Sequence, residues 1–148
     1  MVDGTTAPTI RGWLWSAQDV LPTFVARIQL QRLEANEEWF WCGARVFVDL
    51  SAGLAVGSGT FKCSPRDGTV EIGYGIVASF AGRGYATRGV TLLLAEAFAR
   101  PEVCAVTAET SVENPASQRV LEKNGFTRVG RREDAEDGPL ICWRIDRP

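Results

Sequence analysis

A chain of 148 residues that is 45% hydrophobic and 23% charged is one domain's worth of ordinary globular protein, with enough apolar residues for a real core. A formal net charge of −2 argues against nucleic acid as the main partner, and no apolar run approaches the ~20 residues of a membrane-crossing helix. With no histidine present, Ser-His and Cys-His catalysis are excluded, and any general base must be a carboxylate, a tyrosine, a cysteine or water.

The first residues, 1–9, are small and polar and read as a mobile lead-in. Residues 10–15 read as a first strand. Residues 19–34 read as a helix, with Pro22 in its first turn and Leu21, Phe24, Val25, Ile28, Leu30 and Leu33 as its apolar face. The run Trp39-Phe40-Trp41-Cys42 fits strand or helix. Residues 45–50 alternate as a strand, Ser51-Ala52-Gly53 is a hairpin turn, and residues 54–62 form the next strand. Gly57 and Gly59 in that strand predict a bulge or a close packing partner. Pro65 and Asp67-Gly68 mark another turn.

Residues 69–100 organise the rest. An alternating run puts Glu71, Gly73 and Gly75 on one strand face and Val70, Ile72, Tyr74 and Ile76 on the other. Two glycines beside a carboxylate predict a groove. A loop rich in glycine and arginine follows and opens directly into a helix with Val90, Leu93, Leu94, Ala97 and Phe98 on one face. A strand, a glycine turn and a helix start make an anion site. The first helical amides lack internal partners and the helix dipole favours negative charge there. Gly82 and Gly84 let a ligand approach the backbone, and Arg83 and Arg88 add positive charge. The spacing is neither a dinucleotide fingerprint, since Thr87 holds the third glycine's place, nor a Walker loop, since Gly-Lys-Ser/Thr is missing.

Residues 104–110 form an alternating strand in which Glu109 points to the same cleft. Asn114 caps the next helix, with Pro115 at its first position, and Gly125 ends it. Residues 127–132 and 140–145 form a closing hairpin around an acidic turn. Cys42, Cys63, Cys104 and Cys142 are widely spaced, with no CxxC. They read as reduced and mostly buried, which points to a cytoplasmic protein without a metal site. The element order β-α-β-β-β-α-β-α-β-β predicts a mixed, mostly antiparallel sheet in an α/β (α+β) fold.

Four stretches then come in one order: Glu71-Ile72-Gly73-Tyr74, Gly82-Arg83-Gly84-Tyr85-Ala86-Thr87, Asn114-x-x-Ser117, and Val120-Leu121-Glu122-Lys123-Asn124-Gly125-Phe126. Together they resemble the GNAT family of N-acetyltransferases, and most closely the RimJ/RimL-like branch that acetylates ribosomal-protein N-termini and related amines. The strict loop motif is Gln/Arg-x-x-Gly-x-Gly/Ala; Gly84 and Ala86 fit it, and Ala81 departs from its first place. The match covers roughly residues 68–132.

The resemblance implies a GNAT fold with a six- to seven-stranded sheet and helices on both faces. It implies a single domain over residues 1–148, with 10–67 shaping the acceptor pocket and 68–148 binding acetyl-CoA. Backbone amides of Ile76 and Val77 would hold the acetyl carbonyl and pantetheine arm. Those of Gly82, Arg83, Gly84, Tyr85, Ala86 and Thr87 would hold the pyrophosphate. Asn114 would bind the pantetheine or adenosine-side arm, and Ser117 would donate to the CoA sulfur. Glu71 is the first candidate for general base, through a water, and Glu109 the second. The implied partners are acetyl-CoA and a primary amine, in a homodimer, with no membrane. Five tryptophans, Trp13, Trp15, Trp39, Trp41 and Trp143, suit core and lid packing, with a cationic or aromatic amine as the other reading. Glu37, Glu38 and Asp49 suit either a solvated face or the steering of a cationic amine. A non-catalytic acyl-CoA-binding module is the alternative from another class.

Overall fold

The computed structural model of the chain describes residues 9–10, 13–15 and 20–148. The expected lead-in over residues 1–8 and the expected helix start at Asp19 lie outside the described residues, as do the side chains of Trp13 and Trp15. The elements are β1 (Thr9–Ile10), β2 (Trp13–Trp15), α1 (Thr23–Glu34), α2 (Trp39–Cys42), β3 (Arg45–Asp49), β4 (Leu54–Phe61), β5 (Thr69–Ile76), α3 (Tyr85–Phe98), β6 (Ala105–Ser111), α4 (Pro115–Lys123), β7 (Thr127–Asp134) and β8 (Gly138–Asp146).

The strands form one eight-stranded sheet in the order β1-β2-β4-β5-β6-β8-β7, with β3 off this path and also paired to β4. The pairs β2–β4 and β5–β6 are parallel and the other pairings are antiparallel. The mixed, mostly antiparallel α/β architecture is the one expected. The strand count is higher because the single strand predicted over residues 10–15 is a pair, with Ile10 opposite Trp13.

Helices cover both faces. Strand β4 presents Gly57, Gly59 and Phe61 to one side and Ser58 and Thr60 to the other. On the first side Gly59 receives α3: a Cβ there would lie 2.6 Å from Leu93 Cδ1 and 2.8 Å from Phe47 Cζ. Glycine at this position is what lets the helix seat. Of the predicted α3 stripe, Val90, Leu93, Leu94 and Ala97 are buried and Phe98 is partly buried against the same core. It packs with Phe61, Val70, Ile72, Val106, Leu121 and Trp143 in the main core. Each such side chain contributes roughly 1.5–3 kcal/mol through removal from water. Strand β4 also carries one residue, Val56, more than β3 between the pairs Phe47↔Gly57 and Val48↔Ala55, so bulge and close packing both occur near these glycines.

On the other face α1 departs from its predicted stripe. Its buried residues are Gln29 and Arg32, while Phe24 (66%), Ile28 (47%) and Leu30 (60%) are exposed. Arg32 is buried because every direction of its guanidinium is answered. It donates to the Phe61 carbonyl at 2.7 Å, to Gln29 at 3.0 Å and to Glu37 at 2.8 Å. Glu37 is thereby held below the usual carboxylate range and is not available to steer an amine. The run Trp39–Cys42 is a short helix in which Trp41 and Cys42 are buried and Trp39 is 68% exposed. Trp143 is buried with its indole N–H on Thr110 Oγ1 at 2.9 Å. Of the four free cysteines only Cys42 is buried, which corrects the expectation of a mostly buried set. Among the described residues no helix is long and apolar enough to cross a membrane.

Candidate active site

The site begins where two strands part. Strands β5 and β6 pair only at Thr69↔Ala105, Val70↔Val106 and Glu71↔Thr107. Beyond that, residues 72–76 and 108–111 diverge. On its other edge β5 stays bonded to β4: Lys62 N–H donates to the Glu71 carbonyl at 2.8 Å, and Val77 N–H to the Val56 carbonyl at 2.9 Å. Backbone groups alternate along a strand, so those of Glu71, Gly73, Gly75 and Val77 face β4, and those of Tyr74 and Ile76 face the gap. The Ile76 amide thus faces the gap. The Val77 amide does not. It is bonded to Val56, and the Val77 carbonyl accepts from Phe80 N–H at 2.8 Å. The expectation that Val77 holds the ligand through its amide is corrected for this reason.

The glycine loop lies past the end of β5. Gly82 and Gly84 have φ of +76° and +79°, which only glycine adopts readily, and a Cβ on either would meet open space. Gly84 caps α3, and the first internal bond of the helix runs from Arg88 N–H to the Gly84 carbonyl. The amides of Tyr85, Ala86 and Thr87 therefore face outward at the positive end of a 14-residue helix with no acidic side chain in its first turn. Arg83 lies over the Phe80 ring at 5.4 Å and Arg88 over the Tyr85 ring at 5.2 Å. The Tyr85 hydroxyl donates to Asp49. The Ser51 hydroxyl, then Tyr85, hold the Asp49 carboxyl well below its ordinary range, and Tyr85 is pushed up in turn. Asp49 therefore anchors the loop to the β3–β4 turn instead of steering an amine.

Helix α4 closes the other side of the gap. Asn114 Oδ1 accepts from Ser117 N–H at 3.1 Å, the predicted cap, which leaves its amide nitrogen outward. Ser117 faces the gap, and its carbonyl accepts from the Tyr74 hydroxyl at 3.2 Å. The Ser117 hydroxyl itself makes no hydrogen bond among the described residues.

A cavity of about 730 Å³ opens between α1 and the splayed strands. Its walls include Phe24 and Ile28 of α1, Thr60 and Lys62 of β4, and Gly73 and Gly75 of β5, so the glycine groove read from the sequence exists. Ser117, Glu109 and Asp137 also line it. A second cavity of about 410 Å³, between α1, α2 and β3, is almost wholly apolar and lies away from the glycine loop.

Both candidate carboxylates have partners. Glu71 pairs with Lys62 Nζ at 2.5 Å and stands behind that lysine. Glu109 accepts two bonds from Arg132, at 2.6 and 2.7 Å, and Arg132 holds its carboxyl below the usual range. Of the two, Glu109 stands in the cavity wall and Glu71 does not.

Several contributors went unread in the sequence. Tyr74 spans the gap. Asn124, read only as a helix end, donates to the Thr87 carbonyl at 3.1 Å and the Val120 carbonyl at 2.9 Å, and accepts from Thr91 at 2.8 Å. It fixes the mouth of the glycine loop to α4. No local pattern announces that contact, because it joins residues far apart in the chain.

The acetyltransferase (GNAT) domain model matches residues 6–127. The chain belongs to the GNAT acetyltransferase family. Solved GNAT structures agree with the fold. A GNAT-family acetyltransferase from Bacillus anthracis is 22% identical, with a TM-score of 0.63 over 70% of this chain and 65% of that one. The aminoglycoside acetyltransferase AAC(6')-Ib, in complex with coenzyme A and kanamycin, is 25% identical, with a TM-score of 0.60 over 70% of this chain and 66% of that one. RimL, the ribosomal L7/L12 alpha-N-protein acetyltransferase in complex with coenzyme A, is 23% identical, with a TM-score of 0.58 over 64% and 56%. At that identity RimL is a likeness of fold. This GNAT chain spans less than two thirds of the length of each of these structures. No curated protein sequence matches it.

Proposed function

We propose that this GNAT domain moves an acetyl group from acetyl-CoA to a primary amine, a peptide N-terminus or a small amine, by direct attack. The observation that carries the reading is a set of three features in sequence along one path: the outward amides at the start of α3 just past the end of β5, the Ile76 amide facing the gap, and Ser117 in the cavity wall. Gly82 and Gly84 fit a diphosphate, since their positive φ and open Cβ positions leave room for it against the amides of Arg83, Tyr85, Ala86 and Thr87. Arg83 and Arg88 add charge, and the Asn114 amide nitrogen donates to the arm. Bound acetyl-CoA supplies a thioester carbonyl carbon for the amine to attack.

The chain's own residues do the rest. The Ile76 N–H donates to the carbonyl oxygen as negative charge gathers there. The carbon–nitrogen bond forms and the carbon–sulfur bond breaks. Ser117 Oγ–H donates to the departing sulfur. The proton lost by the amine passes through water to a carboxylate. Glu71 is the first candidate for that acceptor and Glu109 the second; that Glu109 lines the cavity and Glu71 does not favours Glu109. The products are an amide and, once the proton on the carboxylate has passed through water to the thiolate, the free thiol. The resemblance adds a RimJ/RimL-like branch, a cytoplasmic setting and a homodimer to the proposal, the last read directly by light scattering.

Thiol release from acetyl-CoA over a panel of amines tests it. Turnover is expected, with a loss in Glu109→Gln larger than in Glu71→Gln. A second reading has one observation in its favour: both carboxylates are ion-paired, as suits a module that binds acyl-CoA without turning it over. Saturable coenzyme A binding with no thiol release on any amine would establish that reading.

A further inference from the structure

The cavity floor carries two hydroxyls that the transfer reaction does not use. Ser58 and Thr60 stand two residues apart on β4, on the face towards α1. Across the antiparallel pair they meet Gly75 and Gly73. Ser58 is 6% exposed and Thr60 7%, and both line the cavity. Neither hydroxyl has a hydrogen-bond partner among the described residues. Among those residues no side-chain polar atom is both sealed from solvent and unpartnered, so the small exposure that Ser58 and Thr60 keep is to the cavity.

Hydroxyls that have no partner in the protein and open to a cavity are free to bond a guest there. Here the neighbouring strand uncovers them. A Cβ on Gly75 would meet open space, and one on Gly73 would lie 3.3 Å from Lys62 Cε, near the far end of a flexible side chain, and 3.6 Å from Thr60 Oγ1. The two glycines act as a window onto the β4 hydroxyls. The opposite wall carries Phe24, Val25 and Ile28 of α1 beside Gln29, whose side-chain oxygen accepts from Arg32, and the charged Lys62 and Glu109 of the lining are paired with Glu71 and Arg132.

We propose that Ser58 and Thr60 form an acceptor subsite for neutral hydrogen-bonding groups, two of them about 7 Å apart, the spacing of alternate residues along a strand. The inference rests on the transferase reading and narrows it. The acceptor is an amine with amide or hydroxyl groups behind its nitrogen, and a plain alkylamine is a poor substrate. An extended peptide repeats its polar groups on one side at the same spacing. An amino sugar offers the same bonds through hydroxyls.

The experiment compares three acceptors, trialanine amide, glucosamine and n-hexylamine, with the wild-type protein, Thr60→Val and Ser58→Ala. Thermal melting and coenzyme A affinity are measured in parallel and are expected to hold. Thr60→Val is expected to lower kcat/KM for trialanine amide, for glucosamine or for both by about 5- to 30-fold, the scale of one hydrogen bond, and to leave n-hexylamine within about twofold. The acceptor that loses more identifies the amide or the hydroxyl source. An equal effect on all three, or none, with both variants folded, overturns the subsite. If wild-type protein binds coenzyme A but acetylates none of the three, the transferase reading fails by itself. The subsite is then read by titrating trialanine amide and glucosamine into the coenzyme A complex. Binding of either that is lost in Thr60→Val upholds it, and the absence of such a loss overturns it.

Discussion

The Tyr74 hydroxyl donates to the Ser117 carbonyl at 3.2 Å, across the gap where β5 leaves β6. One bond therefore ties the strand that aims the Ile76 amide to the helix that carries the candidate thiol-side donor. Tyr74→Phe removes this bond and keeps the ring. A stability loss of about 1 kcal/mol in urea unfolding is expected. A fall in kcat with little change in KM for acetyl-CoA would accompany it, since Ser117 shifts while the glycine loop stays.

Gly84→Ala tests the loop. No protein atom obstructs the new methyl group, so crowding is not the expected fault. The cost arises from φ near +79°, about 1–2 kcal/mol for a non-glycine residue, and from the methyl group standing where the diphosphate approaches. Coenzyme A affinity measured by titration is expected to fall by tenfold or more, while helix content by circular dichroism is retained.

Asn124→Ala cuts the ties to Thr87, Val120 and Thr91. About 1–3 kcal/mol of stability is expected to go, the range for two or three hydrogen bonds of ordinary worth. Weaker coenzyme A binding should follow, although Asn124 touches no ligand in this account. Unchanged affinity in the folded variant would remove Asn124 from the positioning of the loop.

The Arg132–Glu109 pair makes a prediction with a definite sign in pH. Arg132 lowers the Glu109 carboxyl below its ordinary value of 4.5. A lowered carboxyl contributes stability above its unfolded value and loses it as pH falls through the folded one. The stability gap between wild type and Arg132→Met should thus be full at neutral pH and begin to close below about pH 4.5, with the share due to Asp134, which turn amides and Arg132 hold at about 2, lost last. The acid limb of kcat/KM should move to higher pH in the variant, because Glu109 then takes a proton more easily. A limb that stays in place would take Glu109 out of the proton path.

Much of this was legible in the chain. The α3 stripe and the Asn114 cap depend on neighbours within a few residues, and such patterns survive whatever surrounds them. The β7–β8 hairpin and the turns at Gly53 and Gly68 are local in the same sense. Helix α1 was misread because burial there is decided by partners elsewhere: Arg32 goes inside to reach the Phe61 carbonyl, and Phe24 and Ile28 turn to a cavity wall. The parting of β5 from β6, the bond that takes up the Val77 amide and the pairing of both carboxylates are relations between distant segments. No period or spacing encodes them. Ser58 and Thr60 stand between these cases, since alternation sets them on one face and only the facing glycines reveal that they are uncovered.

The claim beneath all of this is a diphosphate seated on the first amides of α3. Titrating coenzyme A and pantetheine into the protein in parallel tests it most directly. Saturable binding of coenzyme A, at least tenfold tighter than pantetheine, is the predicted result. Equal affinity for the two, or no heat with either from a folded protein, would contradict it.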